Sequence, residues 1–156
     1  MKFILTSALL FGFVFSFAQC PAPEAFLKKK KEKDEYNLNS QSRAGAIAAD
    51  ETYEMSFIAH QGLDYRLSTV LGEGSVGTLN YEIYEMVVEK KVADGKESFK
   101  KVKKVLASSG VAEALEFTSD KARKIFVNVS ITGGDKKKHG CVAVVIETKR
   151  TVKTGF

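Results

Sequence analysis

The feature that most constrains this chain is alternation. In "KIFVNVSIT", Ile125, Val127, Val129 and Ile131 fall on one side of an extended backbone, and Phe126, Asn128 and Ser130 on the other. Strand side chains repeat every two residues and helix side chains every 3.6, so this pattern makes one continuous apolar face only as a strand. "ETYEMSFIA" repeats it through Tyr53, Met55 and Phe57, and "GLDYRLSTVLG" through Leu63, Tyr65 and Leu67. "CVAVVIETKR" closes the chain in the same way with Val142, Val144 and Ile146, and "EALEFTS" supplies a further short strand. Turn-forming residues separate these runs, and no crossover helix is needed. The expectation is a single all-β domain, an antiparallel β-sandwich of seven or eight strands. "HQG", between Ala59 and Leu63, reads as the tight turn of an antiparallel hairpin.

The middle of the chain, "LNYEIYEMVVEKKVADGKESFKKVKKVLAS", is less regular. Leu79, Tyr81 and Ile83 alternate, then Tyr84, Met86 and Val88 take over in the opposite phase, which predicts a bulge around Ile83 to Glu85. Asp94-Gly95 is a strong two-residue hairpin signal. Residues 98–109 admit two readings. Phe99, Val102, Val105 and Leu106 fit helical spacing, with Ser98 as N-cap and Gly110 beyond the end. The β-branched content and the preceding turn favour a strand. Gly72, Gly74 and Gly77 in "GEGSVG" have the spacing of a dinucleotide-binding loop, but a strand-like segment follows instead of a helix. Without a helix N-terminus there is no row of amide donors for a pyrophosphate, so these glycines read as a connection.

Residues 1–18 look like a cleavable signal peptide. Lys2 is followed by the apolar run "FILTSALLFGFVF", too short to span a bilayer, and then by Ser16 and Ala18 at small-x-small spacing. Cleavage after Ala18 leaves Gln19 first, which predicts a secreted or periplasmic protein with no further membrane span. A lipoprotein signal would acylate Cys20, but Gln19 is a poor residue immediately before such a cysteine. Export implies an oxidising compartment, where Cys20 and Cys141 have only each other for an intramolecular bond. The alternative leaves Cys141 as a small core residue and Cys20 unpaired. Residues 19–36, with Lys28 to Lys31 followed by Glu32, Asp34 and Glu35, read as a charged arm or short surface helix. Residues 37–156 form the sandwich, long enough for one core and too short for two.

"MSFIAHQGLDYRLSTV", "LNYEIYE", "LEFTSDKARKIFVNVSITGG" and "GCVAVVIE" resemble segments of small uncharacterised secreted proteins of Bacteroidetes. More loosely they are similar to the bacterial pre-peptidase C-terminal domain, a jelly-roll sandwich. The resemblance spans about Tyr53 to Thr148. It implies a jelly-roll-like fold and an accessory role, and it carries no catalytic residue onto this chain.

The residues themselves offer little chemistry. His60 and His139 are the two histidines, without metal-ligand spacing, and Asp135 in "GGDKKKHG" is surrounded by lysines rather than carboxylates. No catalytic, cofactor or metal site is expected. The whole chain carries +5, concentrated at Lys90, Lys91, Lys100, Lys101, Lys103 and Lys104. On a hairpin these lysines make a cationic edge suited to an acidic glycan or an envelope protein. Lysines on an exposed edge strand also block aggregation, which is their competing explanation. Export and the lack of a recognition motif argue against nucleic acid. The expected function is a non-catalytic binding or accessory module of the cell envelope, the alternative an envelope hydrolase with an unidentified site.

Overall fold

The computed structural model describes residues 20–27, 35–75, 77–93, 96–109, 114–135 and 138–152. Among these residues nine strands follow in chain order as β1 (Asn37–Leu38), β2 (Arg43–Ala48), β3 (Thr52–Ala59), β4 (Leu63–Leu71), β5 (Thr78–Ala93), β6 (Lys96–Ser108), β7 (Ala114–Ser119), β8 (Arg123–Thr132) and β9 (His139–Arg150). The protein is an antiparallel β-sandwich. One sheet has the order β2-β9-β4-β7, with β1 also on β9, and the other has the order β3-β8-β5-β6. From β2 onward the chain crosses between sheets at every connection except β5 to β6, and this order is that of an eight-stranded jelly roll. β1 and β2 are two halves of one edge strand. Between them the buried Ser42 hydroxyl accepts from the Ile146 N–H at 2.9 Å and donates to the Ile146 carbonyl at 3.1 Å, filling the gap in the ladder.

The alternation seen in the sequence becomes the core. Phe57, Ile125, Val127 and Val129 from one sheet meet Tyr65, Leu67, Val144 and Ile146 from the other, each no more than 2 % exposed. One expected pairing is corrected. β3 and β4 do not form a hairpin: β3 pairs with β8, while β4 pairs with β7 and β9 in the opposite sheet. Both strands have an apolar face, and the short "HQG" connection carries the chain across the sandwich so that the two faces meet. Phe57 and Tyr65 lie 5.9 Å apart between ring centroids, and the Tyr65 hydroxyl accepts the His60 N–H at 2.7 Å, clamping the crossing.

Residues 98–109 are strand, not helix, through Ser108. β5 and β6 form the hairpin predicted by Asp94-Gly95, with Ala93 opposite Lys96, although residues 94 and 95 lie outside those described. The register shift falls between Ile83 and Tyr84, as the phase change implied, but the extra residue is Leu106 on β6: Ile83 pairs with Ala107 and Tyr84 with Val105.

Of the expected charged arm or short helix over 19–36, the described residues include one 3₁₀ turn, Pro23–Phe26, and the charged run at 28–34 lies outside them. Pro23 presets the turn's backbone, and no side chain caps it. Cys20 and Cys141 are disulfide-bonded, with Cα atoms 5.4 Å apart. Gly72 makes room beside that bond: a Cβ there would stand 3.0 Å from the Cys141 Cβ and 3.4 Å from the Phe26 ring. Further along, the Tyr36 ring carries the Arg66 guanidinium 4.0 Å from its centre and the Lys149 ammonium at 4.9 Å.

Candidate binding surface

β5 pairs with β8 only as far as Glu85, opposite Ile125. Beyond that it pairs with β6 alone, so Met86–Ala93 and their partners leave the sandwich as a two-stranded ribbon roughly 25 Å long at about 3.4 Å per residue. The ribbon starts at the end of the sandwich opposite the disulfide. Its root is held from inside by Glu85, a buried carboxylate 3.2 Å from Arg123 and 3.7 Å from Lys104. The Arg123 guanidinium in turn lies 5.0 Å from the centre of the Phe117 ring in the opposite sheet. A carboxylate at this position is tolerable because two cations compensate it.

Strand pairing sorts the ribbon's side chains onto two faces. The face continuous with the exterior of the β3-β8-β5-β6 sheet carries Met86 beside Lys103, Val88 beside Lys101, Lys90 beside Phe99, and Val92 beside Glu97. The opposite face carries Val87 beside Val102, Glu89 beside Lys100, and Lys91 beside Ser98. The six lysines singled out from sequence therefore do not make one cationic edge. Lys90, Lys101 and Lys103 point one way, while Lys91, Lys100 and Lys104 point the other. Some are engaged within the chain: Lys90 pairs with Glu97, and Lys103 with Glu82.

The feature that sequence reasoning missed is apolar. Met86, Val88, Val92, Phe99 and Val105 are all exposed, Phe99 at 67 % and Val92 at 65 %, and all five lie on the same outer face. The stripe runs onto the sandwich through Tyr84, stacked on Phe126 with ring centres 5.1 Å apart. Lys103 lies 4.2 Å from the Tyr84 ring centre and Lys124 4.9 Å from that of Phe126. Burial, then the Glu54 carboxylate beside it, push the Tyr84 hydroxyl above the usual phenolic range.

The other end of the sandwich holds a cleft of about 210 Å³ lined by Ala49, Gly74, Ile131, Lys138, His139 and Gly140. Among its described lining residues, Lys138 and His139 are the titratable ones. His139 is the first residue of β9 rather than part of the preceding loop, and His60 lies at the ribbon end, so the two histidines do not converge. Among the described residues no group of three His, Cys, Asp or Glu side chains is placed to hold a metal ion. None of the described helices is long and apolar enough to cross a membrane. The "GEGSVG" glycines connect β4 to β5, strand to strand, with Gly77 at φ +129 where a Cβ would stand 2.6 Å from Ile131.

No family model matches the chain. No curated protein matches it either. Among solved structures, PliG of Aeromonas hydrophila, a periplasmic lysozyme inhibitor of g-type lysozyme, is similar at 8 % identity and a TM-score of 0.43, over 78 % of this chain and 93 % of that one. A likeness this distant transfers neither a site nor a partner to this chain.

Proposed function

We propose that this chain is an exported, non-catalytic binding module of the cell envelope, acting through the β5–β6 ribbon. The observation that carries the reading is the apolar stripe on an element that leaves the sandwich and so adds nothing to its core. A two-stranded ribbon is marginal alone in water, and exposed apolar side chains aligned on one face mark interaction surfaces. The disulfide supports an extracytoplasmic location, since such bonds persist in oxidising compartments. In the same reading, residues 1–18 are removed as a signal peptide and the mature chain begins at Gln19. The hydrolase alternative would want several polar side chains converging in a concavity, and the described cleft brings together two.

Shortening the ribbon tests this. Deleting residues 88–101 and joining Val87 to Val102 through Asn-Gly keeps their pairing and provides a favoured two-residue turn. The shortened protein should keep its thermal midpoint within a few degrees and lose co-sedimentation with envelope fractions. Equal co-sedimentation of the shortened and full-length proteins would refute the proposal.

A further inference from the structure

We infer that the outer face of the ribbon docks an acidic protein, one whose contact surface offers an apolar strip bordered by carboxylates. The inference rests on the binding-module reading and adds the occupant. Between Met86 and Val105 the chain has seven lysines against three acids, and the outer face takes Lys90, Lys101 and Lys103 against Glu97. Across the strands, three of the four outer-face pairs in Met86–Val92 set an apolar residue against a lysine: Met86 with Lys103, Val88 with Lys101, Phe99 with Lys90. Lysine stems are themselves apolar, so this face is a continuous greasy strip with cations along it. Its complement is apolar area with negative charge at the margins.

Three other occupants fit less well. An acidic glycan supplies the charge but leaves Val88 and Val92 against hydroxyls. Sugars also stack on open aromatic faces, and Phe99 alone offers one on this face, since Lys103 and Lys124 already lie over the Tyr84 and Phe126 rings. An anionic bilayer would meet Glu97 at one end of the stripe and Glu82 and Glu54 on the sheet face beside the other, on the very face that must approach it. A second copy of this chain would bring two lysine-rich ribbons together, and like-charge juxtaposition opposes that. A protein can supply the apolar strip and the carboxylates at once.

The two faces make the test selective. A photo-activatable benzoylphenylalanine is placed at Val88, on the outer face, or at Lys91, on the inner one, in the full-length exported protein in cells that make it. Both positions are exposed, so both variants should fold, which circular dichroism checks. The expected result is an adduct from Val88 that proteinase digests, several-fold stronger than any from Lys91, whose cross-linked peptide carries Asp or Glu beside apolar residues. With the captured protein purified, Lys101→Glu should weaken the complex at least tenfold and Lys100→Glu only a few-fold, and added salt should weaken the unmodified complex. An adduct to lipid, glycan or a second copy overturns this inference and leaves the binding role standing. Equal effects of Lys101→Glu and Lys100→Glu overturn it too. No adduct at either position overturns both.

Discussion

The sandwich and the ribbon use the same alternating pattern to opposite ends. In β8, Ile125, Val127 and Val129 alternate with polar or half-buried neighbours and are fully buried. In the ribbon, Met86, Val88 and Val92 alternate just as regularly and stay in water. The difference is whether a second sheet stands opposite. β5 has one on its inner side as far as Glu85; past that residue only Val87 and its partner Val102 stay half-buried on the inner face, and the outer face is open. Periodicity therefore specifies which residues share a face, while burial depends on what the rest of the chain brings to it.

The strongest test of this contrast exchanges two phenylalanines for alanine. Phe57 is 2 % exposed between the sheets and Phe99 is 67 % exposed on the ribbon. Phe57→Ala should cost about 3–5 kcal/mol of unfolding free energy through lost transfer and a residual cavity. Phe99→Ala should stay within about 0.5 kcal/mol, as surface changes usually do. Urea denaturation of both variants measures the gap. Similar losses would mean that the free ribbon folds back onto the sandwich and the contrast is false.

Much of the fold was legible because burial in a sandwich repeats every two residues. The core of β3, β4, β8 and β9 could be named from sequence, and the phase change at Ile83 and Tyr84 located the bulge. Beyond the hairpin that Asp94-Gly95 marks, sheet partners could not be read, because periodicity carries no information about neighbours. β3 and β4 are joined by three residues and still lie in opposite sheets, since facing apolar surfaces bury each other and a hairpin would have left both needing a lid. The candidate site suffered in the same way. Lysines clustered in sequence looked like one edge, and only the pairing of Val88 with Lys101 and of Glu89 with Lys100 shows that they divide between faces. The apolar stripe stayed hidden because Met86, Val88 and Val92 align with Phe99 and Val105 only once the β5–β6 register is known. The Glu85–Arg123 pair joins residues 38 apart and left no local signal.

The disulfide sharpens the contrast from the other end of the molecule. It joins residues separated by 121 positions and fastens the segment before the sandwich to the start of β9, far from the ribbon root. Cys20→Ser with Cys141→Ser should cost about 2–5 kcal/mol, largely by freeing the unfolded chain. Hydrogen exchange should show the loosening around β9 near Cys141, with β5 and β6 near Glu85 unaffected beyond the global loss of stability. Selective loss of protection along the ribbon in the cysteine-free protein would show that the two ends are mechanically coupled.

The smallest expected effect concerns how the ribbon end of the sandwich is closed without burial. Asp64, near the start of β4, accepts hydrogen bonds from the Thr118 hydroxyl at 2.7 Å and the Thr151 hydroxyl at 2.8 Å, tying β4 to β7 and to the segment after β9. These bonds, the Thr118 one first, hold its carboxyl below the usual carboxylate range despite some desolvation, and Lys149 adds to the effect. A carboxyl that is more acidic folded than unfolded contributes stability that is fully present above the unfolded value, near 3.8, and is lost as pH falls through that value toward the folded one. Asp64→Asn keeps a side-chain acceptor but cannot ionise. The thermal midpoint of the unmodified protein should therefore exceed that of Asp64→Asn at pH 6, and the difference should shrink as the pH is lowered to about 3, below the ordinary carboxylate range. Two midpoint curves that stay parallel across that interval would mean that Asp64 does not fasten this end, leaving the Glu85–Arg123 pair to hold the place where the ribbon departs.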